Sequence, residues 1–309
     1  MTPLLLALPG NEAMAARLGK TIGADIAEFG QFPDGESHVR LLSGVSGRPL
    51  VIVATLDRPD AKFLPLAFTA ATARELGATQ VGLVAPYLAY MRQDRRFREG
   101  EAVSARLFAN EISSIADWLV TVDPHLHRIH DLASIYSIPA VSLHAAPLLA
   151  AWIAQHVQSP LLVGPDEESA QWVEAVAKDA GAPFVVLEKR RNSDTDVEVT
   201  VPDVARWRDH ALVLVDDIVS TARTMIETLG HLNRAAMKPA ICVGVHAVFA
   251  PGAYEALKAA GPARIVTANT IPHETNAIDV APALAAAVQD LMAHPSTGLG
   301  WEITQKSSC

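Results

Sequence analysis

Short apolar runs alternate with alanine-rich stretches along nearly the whole chain. Residues 4–8, 51–54, 81–84 and 119–122 are dominated by Leu, Val, Ile and Ala, and 161–163, 184–187, 212–215, 241–248 and 265–266 repeat the pattern. Runs this short and this apolar read as strands buried on both faces. Between them, 61–76, 103–115 and 169–180 carry apolar positions at helical spacing. Strand and helix in alternation predict an α/β fold with parallel sheets. The pattern breaks at IPAVSLHAAP, 138–147, which divides the chain into 1–142 and 143–309. Each part is of ordinary domain size.

Composition narrows the function classes. Half the residues are hydrophobic and 19% are charged, so the chain is globular and rich in core. A net charge of −9 argues against a general nucleic-acid surface. Two cysteines, Cys242 and Cys309, supply neither a disulfide framework nor a zinc spacing, which favours a reducing cytoplasm. The N-terminal apolar run is too short for a membrane span and lacks the basic flank of a leader.

The strongest chemical signal is ALVLVDDIVSTARTM, 211–225. An apolar strand ends in Asp216 and Asp217, followed by Ser220, Thr221, Ala222, Arg223 and Thr224, and a helix begins at once. Backbone N–H groups at a helix N-terminus suit a phosphate, and two preceding carboxylates suit sugar hydroxyls or a metal-bound sugar. A sugar 5-phosphate fits both. The alternative is a strand closed by two solvated capping acids.

Four further segments follow strands, where ligand loops of open α/β sheets lie. In 86–112, Arg92, Arg95, Arg96 and Arg98 crowd one loop of an acidic protein, and guanidinium groups bind phosphate in a fixed fork. In VDPHLHRIH, 122–130, His125 is the better candidate for a metal or phosphate, while His127 and His130 read as structural. Asp166 in LLVGPDEESAQW, 161–172, reads either as a magnesium ligand or as ordinary helix-start chemistry. Lys189, Arg190 and Arg191 open a polar loop whose closure would neutralise a transferring phosphoryl group.

Taken together these segments resemble the ribose-phosphate pyrophosphokinase family. The resemblance runs from about Leu4 to Leu291 and rests on ordered motifs. They are FPDGE (32–36), PYLAYMRQDRRF (86–97), VSARLFAN (103–110), VDPH (122–125), GPD (164–166), EKRR (188–191), VDDIVST (215–221) and VTANTIP (266–272). It implies two tandem domains of the type I phosphoribosyltransferase fold and conversion of ATP and ribose 5-phosphate to phosphoribosyl pyrophosphate and AMP. It further implies Mg2+ and a homo-oligomer, either a dimer or a hexamer built from dimers. By position, the resemblance assigns Phe32, Asp34 and Glu36 to the adenine across a subunit interface, and Arg92, Gln93, Asp94 and His125 to the nucleotide. It assigns His125 and Asp166 to magnesium, Lys189 and Arg191 to catalysis, and Asp216, Asp217 and Ser220 to Thr224 to ribose 5-phosphate. A non-catalytic regulatory subunit and a base-using phosphoribosyltransferase are the alternatives.

The chain departs from the family pattern at Glu167-Glu168-Ser169 and at Arg223, where the family usually has glycine. If the backbone at Arg223 needs a positive φ, the arginine costs roughly 1 kcal/mol. Glu99-Gly100 and IDVAP, 278–282, stand where regulated members carry residues that bind ADP and activating phosphate. The resemblance therefore covers the catalytic positions and not the regulatory ones.

Overall fold

The computed structural model describes residues 2–27, 36–126, 128–165, 169–191, 197–200 and 204–294. Its elements fall into two compact units. The first is built from β1 (Leu4–Ala7), α1 (Glu12–Ile22), β2 (Asp25–Ala27), β3 (Pro49–Val53), α2 (Asp60–Glu75), β4 (Gln80–Ala85), α3 (Ser104–Ile115), β5 (Trp118–Val122) and β6 (Ala140–Leu143). The second, His144–Val280, contains α4 (Ala146–His156), β7 (Pro160–Gly164), α5 (Ala170–Ala180), β8 (Phe184–Val186), β9 (Glu188–Arg191) and β10 (Val197–Thr200). It continues through β11 (Ala211–Ile218), α6 (Arg223–Arg234), β12 (Ile241–His246), α7 (Ala253–Ala259), β13 (Arg264–Ala268) and β14 (Asn276–Ile278). The last helix, α8 (Ala281–Ala293), returns to the first unit and packs on α1, β5 and β6. The compact units thus differ from a division into 1–142 and 143–309, because the apolar face of α8 completes the first core.

Both sheets are wholly parallel. The first has the order β2-β1-β3-β4-β5-β6 and the second β14-β13-β12-β11-β7-β8. Helices cover the central strands, which is why those strands are apolar without alternation. In β3, Leu50, Val51, Ile52 and Val53 are all buried, as are Leu212, Val213, Leu214 and Val215 in β11. The expected strands are present. Four more, β2, β6, β10 and β14, are short or carry polar residues and left little apolar signal.

EKRR differs from the expected polar loop. Its backbone forms β9, antiparallel to β10, with Lys189 opposite Val199 and Arg191 opposite Val197. The ribbon pairs outside the two large sheets, so the succession of buried strands does not reveal it.

One glycine in the first sheet makes room for a large buried side chain. Gly82 in β4 lies opposite Trp118 in β5, and a Cβ there would fall 2.0 Å from the buried indole. Gly82→Ala is therefore expected to lower unfolding stability by about 3 kcal/mol, at the upper end of ordinary overpacking. Chemical denaturation should show this, and Trp118→Leu added to Gly82→Ala should recover part of the loss. Unchanged stability in Gly82→Ala would show that the indole has room to move.

Candidate functional site

In the second unit, β11 delivers Asp216 and Asp217 at its C-terminal end, both half-buried. Each strand-end carboxylate turns back on the chain: Asp216 Oδ1 accepts the Asp217 N–H at 3.0 Å, and Asp217 Oδ1 accepts the Ile218 N–H at 2.8 Å. The loop that follows is tied to the end of β12. Val219 donates to His246 O at 3.0 Å, while Phe249 donates to Val219 O at 2.9 Å and Ala250 to Ser220 O at 3.0 Å. Gly244 permits this approach, since a Cβ there would lie 2.6 Å from Val219 Cγ2. Phe249 adopts φ +28° and packs on Tyr254 and His273, with ring centroids 5.2 and 4.7 Å away.

The loop ends at Ala222, which takes the left-handed conformation, φ +56° and ψ +8°, immediately before α6. The strain expected at Arg223 therefore sits one residue earlier. Arg223 is the first helical residue and is exposed, while Ala222 is buried. A non-glycine residue in this region costs about 1 kcal/mol. Such strain persists only where the surroundings over-determine the backbone, as the β12 hydrogen bonds do here. The N–H groups of the first turn of α6 form a ready acceptor site for an oxyanion.

In the first unit, Arg92, Arg95, Arg96, Phe97 and Arg98 are all exposed on the loop between β4 and α3. The loop is anchored at both ends. Tyr90, at φ +64°, hydrogen-bonds Asp60 and packs on Phe108; Gln93 donates its N–H to Tyr90 O, and Ala105 donates to Gln93 O. At the centre lies Glu101, a residue the sequence reading did not single out. Its Oε2 accepts the N–H groups of Phe97 and Arg98, both at 3.0 Å, and the Gln93 amide at 3.3 Å. Arg96 Nε donates to the Glu101 carbonyl at 3.0 Å. The crowded arginines thus have an internal carboxylate beside them, and Arg95 also lies over the Phe97 ring, 4.9 Å from its centroid.

Asp94 points inward. Its side chain is 3% exposed and accepts the Arg128 N–H at 3.0 Å and Arg128 Nη1 at 3.3 Å. Burial alone would raise this carboxyl, but the Arg128 N–H and guanidinium outweigh it, so Asp94 titrates below its ordinary value. Asp94 thereby ties the arginine loop to the segment after β5 that carries His125. That segment begins at Asp123, φ +33°, whose N–H donates to Leu143 O. Arg128 is a second residue that patterning missed, because a lone arginine among histidines gives no periodic signal.

Of the remaining candidates, Glu36 is described and exposed. Phe32, Asp34 and Asp166 lie outside the described residues, as does His127; for Lys189 and Arg191 the backbone is described. Among the described residues no three His, Cys, Asp or Glu side chains converge as a metal cluster. Magnesium does not require one, since one or two carboxylates complete its shell together with substrate phosphates and water.

Asp94→Asn should destabilise the protein at pH 7 by roughly 1–2 kcal/mol, the cost of losing a charge-assisted pair whose arginine is half exposed. Because the folded-state pKa is depressed, the stabilisation is fully present above the unfolded value. It is lost as pH falls through the folded one. The gap between the wild type and Asp94→Asn should therefore close below about pH 4 in denaturation curves. A gap that stays constant down to pH 2 would mean that the Asp94 charge does not stabilise the fold.

The chain matches known proteins over most of its length. The N-terminal domain of ribose phosphate pyrophosphokinase matches residues 4–115, and the phosphoribosyl transferase domain matches 132–283. A ribose-phosphate pyrophosphokinase of Methanopyrus kandleri is 33% identical over 292 residues, 93% of this chain and 99% of that protein. One from Sulfurisphaera tokodaii is 33% identical over 261 residues, 82% of this chain and 88% of that protein. The crystal structure of phosphoribosylpyrophosphate synthetase from Mycobacterium smegmatis shares the fold, with TM-score 0.83 and 23% identity over 95% of this chain and 99% of that one. With near-complete coverage and both domains in order, the chain belongs to the ribose-phosphate pyrophosphokinase family.

Proposed function

We infer that this protein is a ribose-phosphate diphosphokinase, which moves the β,γ-diphosphoryl group of ATP to O1 of ribose 5-phosphate. The observation that carries the reading is the loop from Asp216 to Thr224. It is fixed in advance by β12 and ends in a left-handed residue at a helix N-terminus. Asp216 and Asp217 hold the ribose hydroxyls, and Ser220, Thr221, Ala222, Arg223 and Thr224 hold the 5-phosphate. The sugar is thereby oriented with its anomeric hydroxyl as nucleophile. Positioning of this kind is a large part of what phosphoryl transfer requires of a protein.

In the reaction, O1 bonds to the β-phosphorus as the bond from that phosphorus to the bridging oxygen breaks. AMP leaves with the bridging oxygen, and the proton of the attacking hydroxyl passes to solvent. Arg92, Gln93, Asp94 and His125 serve the nucleotide site, Asp94 by positioning the His125 segment through Arg128. Phe32, Asp34 and Glu36 complete adenine recognition from a neighbouring copy. Lys189 and Arg191, on β9, neutralise the charge that grows on the transferring group. His125 and Asp166 would hold Mg2+, which would supply charge neutralisation for the reacting phosphates.

The working form in this reading is a homo-oligomer, a dimer or a hexamer built from dimers. Exposed Leu64 and Phe68 on α2 and Leu107 on α3 support self-association. The reading includes neither nucleic acid nor a membrane, and places the enzyme in the cytoplasm. No described helix is long and apolar enough to cross a bilayer.

With ATP, ribose 5-phosphate and Mg2+, chromatography of the products should show AMP and phosphoribosyl pyrophosphate in equal amounts. ADP as the nucleotide product would mean γ-phosphoryl transfer and reject the reading. Lys189→Ala and Arg191→Ala should each lower kcat on the order of 10²-fold with little change in KM, as for the loss of one transition-state donor.

A further inference from the structure

The chain that leaves β12 meets the loop between β13 and β14 through aromatic rings. The half-buried His273 lies tilted against Phe249 and edge-on to Tyr254, with ring centroids 4.7 Å away in both cases. Phe249 is the residue that donates its N–H to Val219 O, and it stands at φ +28°. A non-glycine residue persists at positive φ only where its surroundings hold it, and here Tyr254 and His273 hold its ring.

His273 is itself tied down. Its N–H donates to Asn276 Oδ1 at 2.9 Å, and its carbonyl accepts the Asn276 N–H at 3.1 Å. On the ring, Nδ1 accepts the Thr275 N–H at 3.3 Å and lies 2.8 Å from Thr275 Oγ1. A backbone N–H can only donate, so Nδ1 carries a lone pair and the imidazole is neutral.

We propose that His273 is a positioning residue for the sugar-phosphate loop: its neutral ring braces Phe249 against Val219, and protonation of Nδ1 loosens that brace. The hydroxyl of the buried Thr275 can turn to accept from a protonated Nδ1, but the Thr275 N–H then faces a donor. Burial favours the neutral ring and Glu274 the charged one; burial outweighs it, so His273 titrates below its ordinary value of 6.5. Glu274 is engaged by the Tyr254 hydroxyl, and beside Tyr254 the Lys258 ammonium lies over its ring and pairs with Glu255. From the end of β12, His246 bonds Thr270 Oγ1 at 2.9 Å. The brace is therefore complete at neutral pH and is lost as pH falls through a folded value below 6.5.

The inference rests on the sugar-phosphate reading for its ligand, so it is tested both without and with ribose 5-phosphate. Without ligand, hydrogen exchange of the full-length protein is followed from about pH 7.5 to about pH 5.5. Protection factors, corrected for the intrinsic pH dependence of exchange, should fall about fivefold at Phe249 and Ala250, as for one lost hydrogen bond. They should stay constant at Leu162 and Val163 in β7. In His273→Asn, whose Oδ1 accepts the Thr275 N–H without taking up a proton, protection should not change with pH. His273→Phe should behave likewise and, because it keeps a ring against Phe249, retain more protection than His273→Asn. With ligand, the wild-type KM for ribose 5-phosphate should rise about fivefold more than that of either variant over the same range, while KM for ATP does not. The second ionisation of the sugar phosphate, near pH 6, affects all three proteins alike. Protection at Phe249 and Ala250 that does not change with pH in the wild type, or that falls equally in a folded variant, would overturn the proposal. A protein that shows the predicted exchange but does not bind ribose 5-phosphate would support the brace and reject the diphosphokinase reading instead.

Discussion

The chemistry of the second unit depends on one pairing, β11 alongside β12. In a parallel sheet neighbouring strands end on the same side, so the loop leaving β11 meets the chain leaving β12. Three backbone hydrogen bonds then join Val219 and Ser220 to His246, Phe249 and Ala250. Those bonds fix the chain leading into Ala222, whose left-handed conformation costs about 1 kcal/mol and after which α6 begins. The absence of a Cβ at Gly244 is part of the same constraint, since Val219 occupies that space. A binding loop built this way is ordered before its ligand arrives, which reduces the ordering cost of binding.

The first unit solves a different problem. Four arginines on one loop repel one another, and a loop without strand pairing has little to resist that repulsion. Glu101 supplies hydrogen-bond acceptors at the loop's centre, and buried Asp94 ties the loop to Arg128. The two carboxylates differ in setting. Asp94 is enclosed and titrates low because Arg128 outweighs its burial, whereas Glu101 lies in a partly open loop.

The layout of both sheets was legible because parallel strands buried on both faces leave unbroken apolar runs, as in 50–53 and 212–215. The Asp216–Thr224 loop was legible because strand, acids, small residues and helix are contiguous. What patterning missed depends on contacts distant in sequence or on backbone pairing. Asp94 meets Arg128 only after β5 has brought the later segment alongside. Glu101 carries no periodic or motif signal, and its role is visible only in its hydrogen bonds to Phe97, Arg98 and Gln93. The β9–β10 ribbon pairs outside both large sheets, and the return of α8 to the first core is a property of topology rather than of composition.

The central claim is that the Asp216–Thr224 loop is preformed and takes the sugar phosphate. Hydrogen exchange of its amides, with and without ribose 5-phosphate, tests both parts. The account predicts that Val219, Phe249 and Ala250 are protected without ligand, and that ribose 5-phosphate adds protection from Ser220 to Met225 while ATP alone does not. Rapid exchange of Val219, Phe249 and Ala250 in the ligand-free protein, or no added protection with saturating ribose 5-phosphate, would contradict it.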